Sequence, residues 1–231
     1  MVVGVYRFSE TGNMQAVASA SAVRYSKSET DIRMAPLFLS RTFHSERNGR
    51  IDVLRFFGMV RVTVDGFHES GRYLRLVWRD VIRHIPDTVP VRKVLMLGLA
   101  GGCSLAEIYR RYPEAQVTAI EWDPVMIEIF HLVEPVPMDR APRIVEGDAF
   151  ERVTQLGEKF DVVLVDIFRG GIPDQRLASD EFAKRLQDVL VPGGILALNA
   201  FRSLDFFPVF QGHFTELTRW HHEFNTLALY Q

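Results

Sequence analysis

Gly98, Gly101 and Gly102, then Glu121, Asp148 and Asp166, are the residues of this chain whose types and spacing suit chemistry on a nucleoside. The glycines follow the apolar run Lys93 to Leu97, in RKVLMLGLAGGCS. Glycine at such a point lets the backbone turn sharply and come close to a ligand as a helix begins. Glu121 closes the next apolar run, 23 positions after Gly98, where an acid accepts hydrogen bonds from the two hydroxyls of a ribose. Asp148 follows the apolar start of RIVEGDA and Asp166 ends FDVVLVD, so three consecutive apolar runs close on an acid. Ligands of open α/β sheets bind outside the carboxyl ends of the strands, which places Glu121, Asp148 and Asp166 on one crevice. Each signal alone has a plainer explanation. G-x-x-G-G is not G-x-G-x-x-G and fits any tight strand-to-helix turn, and an acid after a strand suits the cap of the next helix.

Only a parallel sheet brings these residues together. The run 93–97 is apolar enough to be buried on both faces, and from residue 91 onward strand-like and helix-like stretches alternate. A helix is expected over Asp180 to Leu190, after which Pro192-Gly193-Gly194 leads into a buried strand. LALY near the C-terminus is read as a last strand, inserted antiparallel at the sheet edge. Upstream, IDVLRFFGMVRVTVDGF reads as two antiparallel strands interrupted at Gly58 and ended by the turn Asp65-Gly66. Residues 71–85 place Leu74, Val77, Val81 and Ile85 at helical spacing. Pro86 and Pro90 close that helix. The chain therefore divides into an N-terminal region, 1–88, and an α/β domain, 89–231. Residues 1–48 have no clear pattern, and their Ser- and Ala-rich stretch around Val17 to Ser28 suits a flexible segment.

At 231 residues and 47% hydrophobic content the chain can bury a sizeable core. Its formal charge of −2 and scattered basic residues argue against dedicated nucleic-acid binding. One cysteine, Cys103, excludes an internal disulfide, and no Cys/His cluster has zinc spacing, so no metal is expected. A cytoplasmic location is the simplest expectation. No apolar run approaches the ~20 residues that span a bilayer, and no signal peptide is apparent.

Residues 50–200 together resemble the spermidine synthase family, a branch of the class I S-adenosylmethionine-binding fold. VDGFHES is similar to its L-D-G-x-x-Q turn, and WRDVIRHIP to its Y-x-E-M-x-x-H-x-P helix, with Asp80 in the acid's place and His84 matching the histidine. GLAGGCS stands where the family has G-G-G-D-G-G, EWDP where it has E-I-D, and EGDAFE where it has G-D-G/A-x-x. The resemblance implies an α/β, Rossmann-like class I methyltransferase fold, mostly parallel with an antiparallel last strand, preceded by a small N-terminal β-hairpin domain. It implies that Glu121 holds the ribose while Asp148 and Ala149 meet the adenine, within a site that includes Gly98, Leu99, Ala100, Gly101, Gly102 and Trp122. His84 is expected to touch the cofactor or the base, although a lone histidine near a helix end also suits a structural role. Asp166 falls on the first acid of D-S-S-D-P, the base that deprotonates an attacking amine. The implied cofactor is S-adenosylmethionine or its decarboxylated form, the implied partner a small-molecule acceptor such as an amine, and the implied assembly a homodimer.

The sequence also departs from the family. Gly101 takes the place of the acid in G-G-G-D-G-G, Trp78 replaces a tyrosine, and IFRGGIP replaces S-S-D-P, so a diamine loses carboxylates that would hold its two charges. Arg169, pointed inward, repels a cation. Transfer of a methyl group to an unidentified acceptor is therefore the leading expectation. Aminopropyl transfer from decarboxylated S-adenosylmethionine and a non-catalytic nucleoside-binding module are the alternatives. A nicotinamide-dependent oxidoreductase is a distant fourth.

Overall fold

A computed structural model describes residues 5–8, 14–17, 38–57, 59–133, 135–169, 172–201 and 206–231. The Ser- and Ala-rich stretch beyond Val17, Gly58 and the side chain of Arg169 lie outside the described residues. Strands β1 (Val5–Phe8) and β2 (Met14–Val17) form a short antiparallel pair. An antiparallel meander follows: β3 (Phe38–Ser45), β4 (Gly49–Phe56), β5 (Met59–Val64) and β6 (Phe67–Ser70). The expected pair of strands is thus the centre of a four-stranded sheet. Its β5–β6 turn is Asp65-Gly66, both at positive φ (48° and 86°), the conformation that a tight hairpin requires. Helix α1 (Arg72–His84) buries Leu74, Val77, Trp78, Val81 and Ile82 on one face, and ends with Arg83 and His84 where cations complement the helix dipole.

The α/β part runs β7 (Lys93–Leu97), α2 (Leu105–Arg111), β8 (Gln116–Glu121), α3 (Pro124–Val133), β9 (Arg143–Glu146), α4 (Ala149–Arg152) and β10 (Phe160–Val165). A two-stranded ribbon, β11 (Phe168–Arg169) and β12 (Ile172–Pro173), precedes α5 (Asp180–Val189) and β13 (Leu190–Phe201). The chain ends with α6 (Phe207–His213), β14 (Glu216–His222) and β15 (Asn225–Tyr230). The large sheet has the order β14-β15-β13-β10-β7-β8-β9-β1-β2, so β1 and β2 extend it across the expected boundary at residue 88. Strands β9, β8, β7, β10 and β13 are parallel, and β15 is antiparallel to β13. Placing the last strand at the sheet edge needs correction, because β15 lies between β13 and β14. All six of its residues are buried, which an inner strand requires, whereas β14 alternates half-buried and exposed residues as an edge strand does.

One apolar layer fills the face under α4, α5 and α6, with Phe160, Phe182, Phe207 and Phe210 at its centre. A second fills the face under α1, α2 and α3. Among the described residues no helix is long and apolar enough to cross a membrane. The strand order reverses between β7 and β10, where the crossovers on either side leave a crevice at the carboxyl ends.

Candidate active site

Strand pairing runs one residue past the strand ends and fixes the polar groups at one level. Gly98 N–H donates to the Ile120 carbonyl (3.0 Å), Gly147 N–H to the Glu121 carbonyl (2.9 Å) and Asp166 N–H to the Leu97 carbonyl (2.9 Å). Gly98 has φ +95°, and a Cβ there would sit 2.2 Å from the Asp166 carbonyl oxygen, so only glycine lets these two strand ends lie side by side. Glu121 is buried. Its Oε2 accepts the backbone N–H groups of Leu99 (3.0 Å) and Ala100 (3.2 Å), and its Oε1 that of Asp123 (3.0 Å). Burial raises its pKa, and those three N–H groups oppose the rise by favouring the charged form.

A cavity of about 380 Å³ opens here, lined by Gly98, Ala100, Glu121, Trp122, Asp148, Ala149, Phe150 and Asp166 among others. Asp148 is both cap and lining: Oδ1 accepts the Phe150 N–H (2.9 Å) and Oδ2 accepts Arg176 Nη1 (2.7 Å). Arg176 also pairs with Asp174 and lies 4.1 Å from the Phe150 ring centre, tying the loop after β12 to the cavity wall.

Asp166 stands where this cavity meets a second one of about 360 Å³. Its Oδ2 accepts Trp78 Nε1 (2.9 Å) and its Oδ1 accepts Asn199 Nδ2 (2.8 Å). Asn225 Nδ2 donates in turn to Asn199 Oδ1 (2.7 Å), and Tyr73 Oη to Asn225 Oδ1 (2.7 Å). Four elements, α1, β10, β13 and β15, thus hold one carboxylate. Burial raises the Asp166 pKa, opposed by the Asn199 and Trp78 donors. Trp78 therefore does not simply remove a polar contact where the family has tyrosine, because its indole N–H reaches the acid.

The second cavity is walled by Phe67, Tyr73, Phe168, Phe201 and Phe224, and Glu69, Asp166 and Phe168 line both cavities. Glu69 occupies the glutamine position of the L-D-G-x-x-Q-like turn, a signal legible in VDGFHES but given no role in the sequence reading. Asn199, Asn225 and Tyr73 carried no such signal.

The other nominated residues separate. Leu99 is buried and lines neither cavity; it reaches the site through its backbone N–H to Glu121, as Ala100 does. A Cβ on Gly101 would meet Ser70 Oγ at 2.7 Å and Val62 at 3.1 Å, and one on Gly102 would meet Phe130 at 2.7 Å, so both pack against neighbouring elements and line neither cavity. The absence of an acid at 101 follows from that packing. The expectation for His84 needs correction. It is exposed, its Nδ1 lies 2.9 Å from the Asp80 carbonyl oxygen, its ring stacks 4.2 Å from Trp220, and it lines neither cavity. The reason is the helix axis: His84 is six residues beyond Trp78, roughly 9 Å further from the crevice. Cys103 packs in the core, where burial pushes its thiol pKa up and away from reactivity.

Asp123 was also missed. It is fully buried, with Oδ2 accepting Ser45 Oγ (2.6 Å) and Asn48 Nδ2 (2.6 Å) and Oδ1 accepting the Val125 N–H (2.9 Å), which ties the β3–β4 turn to the sheet beside Glu121. Asp123→Ala is expected to cost about 2–4 kcal/mol, since it orphans two buried donors, Ser45 and Asn48, and the half-buried Val125 N–H. Urea denaturation reads the loss, and a change below about 0.5 kcal/mol, typical of an ordinary surface site, refutes the tie.

Residues 76–204 match the spermine/spermidine synthase domain. The chain is 30% identical over 112 residues to the polyamine aminopropyltransferase of Vibrio vulnificus (strain CMCP6), a stretch covering 47% of this chain and 38% of that protein. A probable spermidine synthase from Corynebacterium glutamicum superposes with a TM-score of 0.68 at 18% identity, over 84% of this chain and 80% of the other. Human methyltransferase-like protein 13 in complex with SAH superposes with a TM-score of 0.53 at 19% identity, over 69% and 81%. The fold is the class I methyltransferase-like α/β fold with an added four-stranded antiparallel sheet. Because the matched domain runs over more than half of the chain, the protein belongs to the spermine/spermidine synthase family, as a divergent member.

Proposed function

We propose that the protein transfers an aminopropyl group from decarboxylated S-adenosylmethionine to an amine. The observation that carries this is the junction of the two cavities: its shared residues are Glu69, Asp166 and Phe168, two carboxylates and no cation. An ammonium-ended donor matches that charge, whereas the carboxylate of intact S-adenosylmethionine would add a third acid to the two that line the junction. The glycine-loop cavity suits the nucleoside, with Glu121 at the ribose and Trp122 and Phe150 beside the base. The donor supplies a carbon made electrophilic by sulfonium. The acceptor arrives as an ammonium, loses one proton to Asp166, and its lone pair forms the C–N bond as the C–S bond breaks, leaving a neutral thioether and returning the proton to solvent. The Vibrio relative's name supports this choice over methyl transfer.

Methyl transfer is the second possibility, favoured by the packing at Gly101, which leaves no room for the family's acid. Calorimetric titration with S-adenosylmethionine, its decarboxylated form and methylthioadenosine separates the two. Tighter binding of the decarboxylated donor is expected, and preference for the carboxylated one reverses the choice. Failure of all three to bind leaves the non-catalytic module.

Trp78→Phe tests the role of Asp166. Losing the indole N–H removes a group that favours the carboxylate while burial stays, so the Asp166 pKa rises further. The acidic limb of the pH–rate profile, already above the ordinary aspartate range, is expected to move to higher pH. A limb that stays in place, or moves down, is incompatible with Asp166 as base.

A further inference from the structure

We infer that the acceptor is a primary amine with one cationic end and a hydrophobic, preferably aromatic, body, rather than a diamine. This deepens the proposed transferase and rests on it for the amine's role as nucleophile, but not for its binding. The aromatic cavity has about 360 Å³, room for a small amphipathic molecule. Its described lining carries just two carboxylates, Glu69 and Asp166, and both also line the glycine-loop cavity. With the donor's ammonium also facing this pair, one acceptor ammonium is matched at that end. The remaining wall is Phe67, Tyr73, Phe168, Phe201, Phe224 and Leu74, with His68 and two asparagines. The asparagines are engaged: Asn225 Nδ2 donates to Asn199, whose Nδ2 donates to Asp166, while Asn225 Oδ1 accepts from Tyr73. Among the described lining residues a second ammonium would lie between rings with no carboxylate to pair with, and a desolvated charge without a partner is costly.

The rim points the same way. Phe67 is 42% and Phe224 58% exposed, and aromatic groups left open beside a cavity gain most when an apolar ligand covers them. Tyr73 directs its hydroxyl into the asparagine network while its ring lines the cavity, 6.4 Å from the Phe224 ring. Tyr73 thereby offers the ligand a face rather than a hydrogen bond.

The test is calorimetric titration of the intact chain with 2-phenylethylamine and with 1,4-diaminobutane, no donor present. The phenyl compound is expected to bind at least about tenfold more tightly, the effect of burying a ring that the diamine lacks. Phe224→Ala, at an exposed position that tolerates truncation, is expected to remove most of that preference, and Glu69→Gln to weaken both amines. Equal or tighter binding of the diamine overturns the inference, as does binding of neither amine or an unchanged preference in Phe224→Ala. If 2-phenylethylamine binds as expected while no sulfonium donor binds, the transferase proposal fails and the ligand class stands.

Discussion

Asp166→Asn is expected to lower turnover by about 100- to 10,000-fold, the range associated with losing a positioned general base, while donor affinity changes little. The substitution keeps the side chain's size. One oxygen still accepts from Trp78, but the new NH₂ group faces the Asn199 N–H, whose amide is held in that orientation by Asn225, so the variant is also expected to lose about 1–3 kcal/mol of stability. The activity loss, measured where the variant is folded, should fall in kcat rather than in the KM for the donor. Single-turnover assay of thioether release, alongside donor titration, separates the two. A variant with turnover within a few-fold of the parent returns Asp166 to a structural role, tying Trp78 of α1 to Asn199 of β13.

The second large effect is expected at Glu121. Glu121→Gln replaces one acceptor oxygen by a donor in a position where Leu99, Ala100 and Asp123 all present N–H groups. At least one buried N–H is left without an acceptor, at a cost of about 1–3 kcal/mol in stability. Donor affinity is expected to fall about 100-fold, because the ribose partner and the glycine-loop geometry are lost together. The pH dependence gives an independent check. Burial raises the native pKa of Glu121 above its unfolded value, so the native state binds more protons. Stability from that group is fully present below the unfolded pKa, about 4.3, and is lost as pH rises through the folded value. Denaturation at a series of pH values should show this decline in the parent and not in Glu121→Gln, so that the parent-minus-variant difference isolates it. Full donor affinity in the variant removes Glu121 from the site.

Most of the fold was legible because strand and turn signals are local. Runs such as 93–97, 143–146 and 160–165 are apolar in succession, and burial on both faces demands that composition. Gly98 was legible for the same reason, although what makes it obligatory, the 2.2 Å approach of the Asp166 carbonyl to a notional Cβ, belongs to a neighbouring strand. The meander was half legible, since β3 and β6 lack the β-branched alternation that marked β4 and β5. Strand β14 was not legible, because its aliphatic Leu217 lies on the exposed face and Trp220 on the half-buried one, so ELTRWHH carries no apolar alternation.

The sequence by itself determined the strand ends, the glycine loop and the acids Glu121, Asp148 and Asp166 that close the strands, since each is set by residues within a few positions. Only the tertiary structure decided which groups act on those acids. Trp78 lies 88 positions from Asp166, and Tyr73 lies 152 from Asn225. It also decided that His84 leaves the crevice while Glu69 enters it. Helix rise carries a side chain along its axis whatever motif it belongs to, and a β-turn packed over a sheet edge delivers its neighbour into the cavity beneath. Hydrogen bonding and burial between such distant residues depend on distances that exist once the layers have packed, and no local pattern encodes them.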